Sequence, residues 1–106
     1  MTDPGTDAVL GALADPTRRA LLDALAAHGQ ASASVLAADL PVSRQAIVKH
    51  LGVLSEAGLV EPERSGREVR YTVRSESLAA TASWMSALAD RWDRRLRTIK
   101  RAAEQQ

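Results

Sequence analysis

The chain contains no cysteine and no phenylalanine. Without cysteine there is no disulfide, no thiolate metal site and no thiol nucleophile. Histidine occurs twice, as His28 and His50, too few for a His-rich metal site within one chain. The only aromatics are Tyr71, Trp84 and Trp92, so the core has to be built from Leu, Val, Ile and Ala. No apolar run approaches the roughly 20 residues that span a membrane, and no basic segment leads into an apolar one at the N-terminus. A cytoplasmic protein without a membrane partner is the expectation. Neither sign of charge dominates: 14 Lys and Arg face 13 Asp and Glu, for a net charge of +1. The placement of charge therefore has to decide about nucleic acid.

What is present fits one domain over 1–106. The 106 residues are 45% hydrophobic and 25% charged, enough for one core and little room for a separate catalytic or ligand domain. Met1 to Thr6 reads as a loose terminus. Val9, Leu10 and Leu13 at helical spacing predict a short first helix over 7–14. Asp15-Pro16 starts a second, because Asp caps free N–H groups and Pro fits the first helical position. His28-Gly29 ends it. Ser32 or Ser34 opens a third helix, stopped by Pro41. Ser43 caps a fourth, which carries Ile47, Leu51 and Leu54 up to Gly58. The period then changes: a first extended run from Leu59, a turn at Ser65-Gly66-Arg67, and alternating Val69, Tyr71 and Val73 predict a hairpin over 59–74. A long last helix over 75–103 follows, with fraying expected from Ala102. The order α-α-α-α-β-β-α is mainly α with a β-hairpin, the parts of a winged helix-turn-helix over 32–57 with a wing behind it.

At 100° per residue the fourth helix has two faces. Ala46, Ile47, Leu51 and Leu54 gather on one. Gln45, Val48, Lys49 and Gly52 gather on the other, and this set suits a major groove. An amide can bond adenine, a cation can reach guanine or phosphate, and a methyl can touch thymine. Ser43 and Arg44 lie at the helix N-terminus, which such helices aim at the bases. His50 falls between the faces, where a phosphate contact, a brace for the helix and a packed core histidine all fit. On the hairpin Arg64, Arg67, Arg70 and Arg74 are diluted by Glu61, Glu63 and Glu68. Arg67 at the tip is best placed to reach DNA; a plain solvated hairpin is the other reading.

Three blocks resemble the ArsR family, the arsenic- and metal-sensor repressors: Ala14-Asp15-Pro16-Thr17-Arg18-Arg19 with Leu21-Leu22, Ser43 to Leu51 followed by Leu54 to Val60, and Gly66 to Tyr71. They stand in the family's order and spacing. The resemblance implies a homodimer joined through the first and last helices, placing Val9, Leu10 and Leu13 in the interface. It implies operator reading by the helix from Ser43, a DNA-contacting wing, and repression that a small-molecule inducer relieves in many members. It does not carry over metal sensing. Val35 to Leu40 lacks the cysteine pair of the metal sensors, and the last helix offers Asp90 and Asp93 but no histidine. The segment from Trp84 to Leu96 is similar to a non-metal branch.

Trp84, Leu88, Trp92 and Leu96 form a stripe longer than a small core can cover. A two-fold interface would bury it; packing of both tryptophans within their own domain is the alternative. The basic run from Arg91 to Arg101 reads as a solvated face or as a contact to DNA or an acidic partner. No nucleophile–base–orienter set or phosphate loop occurs, so neither an enzyme nor a cofactor is expected. The leading expectation is a sequence-specific, homodimeric repressor or autorepressor that binds double-stranded operator DNA with inverted repeats and does not respond to metal. A winged-helix protein-interaction module without DNA binding is the alternative.

Overall fold

A computed structural model describes residues 4–105. Five helices and a small sheet follow in order: α1 (Pro4–Leu13), α2 (Pro16–His28), β1 (Ala31–Ser32), α3 (Ala33–Asp39), α4 (Arg44–Glu56), β2 (Val60–Ser65), β3 (Glu68–Val73) and α5 (Glu76–Glu104). This is the expected winged helix-turn-helix with one addition. The two-residue β1 pairs antiparallel with β3, so the sheet runs β1-β3-β2.

The helix boundaries have local causes. Asp15 Oδ1 accepts from the backbone N–H groups of Thr17 at 2.7 Å and Arg18 at 3.2 Å, and Pro16 follows at the first helical position. Ser32 and Ser43 cap α3 and α4 by accepting from the N–H groups of Val35 and Ala46. α4 ends in a Schellman motif: Leu59 N donates to the Leu54 carbonyl at 2.9 Å and Gly58 N to that of Ser55 at 3.0 Å. Gly58 sits at φ 76°, the left-handed conformation the motif needs.

Two ends differ from the sequence expectation. Pro4 starts α1 earlier than Asp7, and Thr6 is buried rather than part of a loose end. α5 continues past Ala102 to Glu104, where the Lys100–Glu104 pair at i, i+4 and the Gln105 N–H to Arg101 carbonyl bond hold the last turn.

Leu21, Leu25, Leu36, Ile47, Leu51, Leu54 and Leu59 are fully buried and join Val9 and Ala12 of α1 in one core. Each such side chain contributes about 1.5–3 kcal/mol by leaving water. Tyr71 and Val73 pack on it from the sheet. α1 lies against α5. Thr81 is the one buried residue of α5, its hydroxyl donating back to the Ser77 carbonyl at 2.9 Å. Beyond Leu88 every described residue of α5 is exposed, and the helix carries the molecule to 70 Å in its long dimension.

Candidate DNA interface

α4 is locked to the core by Ile47, Leu51 and Leu54, so rotation about its axis is fixed. Gln45, Val48, Lys49 and Gly52 are exposed together on the outer side, as the helical wheel predicts. Apart from the adjacent backbone of its own helix, Gly52 has no atom within 4 Å of where a Cβ would stand, which leaves open space on this face. Ser43 is exposed and accepts the Ala46 N–H with its Oγ at 3.2 Å, which sets the start of the helix. Arg44 Nε donates to Ser34 Oγ at 3.0 Å, so the first side chain of α4 is steadied by α3.

The wing adds a second wall. Between α4 and β3 lies a cleft of about 310 Å³ whose lining includes Ser34, Arg44, Val48, Arg67, Val69 and one acid, Glu68, which is 3.5 Å from Arg70. Arg67 of the tip and Arg44 of the helix thus border one space, with no acidic ion-pair partner for either among the described residues. The tip is a two-residue turn led by Gly66 at φ 64°, the position that needs glycine in such hairpins.

Register separates the wing arginines that look alike along the sequence. Arg64 is opposite Val69 and shares its face, which also carries Tyr71 and Val73. Arg70 lies on the other face, opposite Glu63 and 3.5 Å from Glu68, and Arg74 pairs with Glu61 at 2.8 Å. The far side of the wing is therefore charge-compensated, and Arg70 is set apart from the face shared by Arg64 and Val69.

Among the described residues, Val9 of the expected dimer set belongs elsewhere. It is 0% exposed in the lone chain and is part of the protomer's own core, so it has no surface left to offer. Leu10 is exposed and Leu13 half-buried at the edge of α1. Trp84 and Leu88 are half-buried, whereas Trp92, Leu96 and Ile99 are 54%, 59% and 58% exposed. The stripe thus starts on the domain and runs off it.

The whole arrangement is shared with known proteins. Residues 13–63 match a helix-turn-helix domain family. An ArsR-like transcriptional regulator from Rhodococcus sp. RHA1 is similar in structure with a TM-score of 0.83 and 45% identity, covering 93% of this chain and 92% of that one. The chain belongs to the ArsR family of helix-turn-helix transcriptional regulators. The transcriptional repressor SdpR of Bacillus subtilis is 31% identical over 85 residues, 80% of this chain and 93% of its own length. An HTH-type transcriptional regulator of Mycobacterium tuberculosis is 48% identical over 69 residues, 65% of this chain; the match spans 64% of that regulator, just under two thirds.

Membership of the ArsR family makes this a DNA-binding transcription regulator. It also turns attention to residues that the sequence motif contained but did not explain. In this ArsR-family chain Arg18 and Arg19 face backwards. Arg18 donates to the carbonyls of Ala12 at 2.7 Å and Gly11 at 3.2 Å, and Arg19 to that of Leu13 at 2.6 Å. Together they close the last turn of α1, whose carbonyls have no partner within the helix. Asp15 beside them is held below its ordinary pKa of 3.8. Partial burial works against its charge, but the Arg18 and Thr17 backbone N–H groups, then the charges of Arg18 and His50, prevail. His50 is half-buried and turned toward this cluster, its Nδ1 3.5 Å from Arg18 Nη1. The missed signal was the spacing: Arg18 follows the Asp cap by three residues, which returns its side chain past the helix start.

No helix among the described residues is long and apolar enough to cross a membrane.

Proposed function

We propose that this ArsR-family regulator is a cytoplasmic homodimeric repressor or autorepressor that reads an inverted-repeat operator. The observation that carries the reading is the exposed set Gln45, Val48 and Lys49 on a helix whose roll is locked, flanked by Arg44 and Arg67 across one cleft. Gln45 would read a base edge, Val48 a thymine methyl, and Lys49, Arg44, Arg64 and Arg67 phosphate or base edges. The uncovered stripe of Trp92, Leu96 and Ile99 supports a two-fold partner along α5, with Leu10 and Leu13 at its margin. Such a dimer would set two copies of α4 about 34–36 Å apart, one DNA turn. Repression is the activity printed in the name of SdpR. The absence of cysteine supports a regulator that senses no metal through thiolates. Its work is binding rather than catalysis.

Fluorescence-anisotropy titration against the DNA upstream of its own gene tests this. The expected result is tight binding that weakens steeply with salt, with a preference over random duplex. Gln45→Ala should cost about 1–3 kcal/mol on the preferred duplex and little on random DNA. Equal affinity for both duplexes would remove the operator; no binding even at low salt would leave a protein-interaction module as the better reading.

A further inference from the structure

One side chain of α2 touches three elements. Arg18 Nε and Nη2 hold the Ala12 and Gly11 carbonyls at the end of α1 at 2.7 and 3.2 Å. Its Nη1 lies 3.5 Å from His50 Nδ1 on α4 and 3.7 Å from Asp15 Oδ2 at the start of α2. A guanidinium only donates, and its Nη1 faces His50 Nδ1 at the outer limit of hydrogen-bond distance. The Arg18 side chain is 17% exposed. Water competes weakly there, and bonds from a charged donor to two carbonyls fix the plane of the fork. Arg19, by contrast, reaches the Leu13 carbonyl from the surface and meets no group of α4 among the described residues.

We infer that Arg18 is a positioning residue for DNA reading. It joins the end of α1 to His50 and so sets the angle at which α4 presents Gln45, Val48 and Lys49. The inference rests on the proposed DNA-reading face of α4. It adds a direction of travel: a shift of α1 moves the guanidinium, and the shift arrives at the middle of α4 through His50. Lysine cannot substitute. A single ammonium lacks the planar fork that spans two carbonyls and an imidazole at fixed angles.

A double-mutant cycle separates this link from a merely structural cap. R18K, H50A and R18K/H50A are titrated with a duplex selected in vitro for tight binding by the wild-type protein, and with a random duplex. Each single variant should bind the selected duplex about tenfold more weakly, and the double variant no more than about twofold more weakly than the poorer single, because residues in one network do not add. Binding to random duplex should change little, since R18K keeps its charge. Losses that multiply, or R18K binding like wild type, overturn the inference. Hydrogen exchange on the free protein gives a second reading that needs no DNA. R18K should speed exchange in α4 around His50 as well as at the end of α1, and H50A should loosen the end of α1 in return. Faster exchange confined to α1 in R18K, with H50A silent there, reduces Arg18 to a cap. A wild-type protein without preference for the selected duplex defeats the operator proposal, and the exchange result still judges the link.

Discussion

Trp92→Ala tests the proposed seam most directly. In the lone chain 54% of Trp92 is exposed. A tryptophan side chain buries about 150–250 Å² when covered, so a partner helix would remove ~100 Å² more from water. At about 25 cal/mol per Å² that is ~2.5 kcal/mol per protomer, and the two-fold symmetry doubles it. Arg95 lies 5.7 Å over the ring within the same chain, a contact that monomer and dimer share, so its loss adds nothing to the dissociation constant. Relaxation of the interface around the gap returns part of the burial energy, so the dimer dissociation constant should rise by at least about a hundredfold, where each 1.4 kcal/mol is tenfold. The protomer should keep its helical content, because all that the exposed part of Trp92 gives its own chain is the surface contact with Arg95, of about 0.5–1 kcal/mol. Sedimentation velocity over a concentration series reads the dimer, and far-UV circular dichroism reads the fold. A variant that sediments as a dimer like wild type at the lowest concentrations would refute the reasoning, as would a wild-type chain that stays monomeric when concentrated.

Further outcomes follow from single features. Arg67→Ala should flatten the salt dependence of DNA binding by about one phosphate contact, a change near 0.9 in the slope of log K against log salt, whereas Arg70→Ala, on the charge-compensated face, should leave the slope unchanged. Gly58→Ala should cost about 1–2 kcal/mol for its left-handed backbone, and Gly29→Ala more, because φ 80° with ψ −45° lies outside the left-handed region that alanine can enter. Space does not reverse this order: at Gly29 the new Cβ meets nothing within 4 Å, and at Gly58 it would stand 2.8 Å from Ser77 Oγ, the end of a side chain that can rotate away; thermal melts of the two variants rank them. The Asp15 carboxyl sits below its ordinary value of 3.8 in the folded chain, so it contributes stability above that pH and loses it as pH falls through the folded value. Asp15→Asn keeps a capping oxygen without the charge, and its acid unfolding profile should be flatter than that of wild type below about pH 4.

The parts of the fold that were legible in the sequence are those with a local cause. Asp15-Pro16 and Ser43 mark helix starts, Gly29 and Gly58 mark ends, and each acts through bonds within a few residues. The exposed face of α4 was equally readable, because Ile47, Leu51 and Leu54 fix its roll. What escaped depends on partners distant in sequence. β1 is two residues long and exists because Ala31 meets Tyr71. The wing arginines look equivalent along the chain until pairing with β2 puts Arg70 among glutamates. Val9 has the spacing of a seam residue, yet in the folded chain it is part of the protomer's own core. His50 stayed open between three readings; only the fold brings Arg18, 32 positions away, to its ring.

The backward-facing arginines have a consequence for how the chain acquires its structure. α1 spans ten residues, fewer than the roughly 12–15 that let a helix persist alone in water. The Gly11 carbonyl has the Ala14 N–H at 3.3 Å, but those of Ala12 and Leu13 find their side-chain donors only after the next helix has formed and swung into place. α1 is thus conditional on α2: during synthesis it would flicker until Arg18 and Arg19 leave the ribosome and fold back. The first helix of this protein is, on that account, among the last to settle.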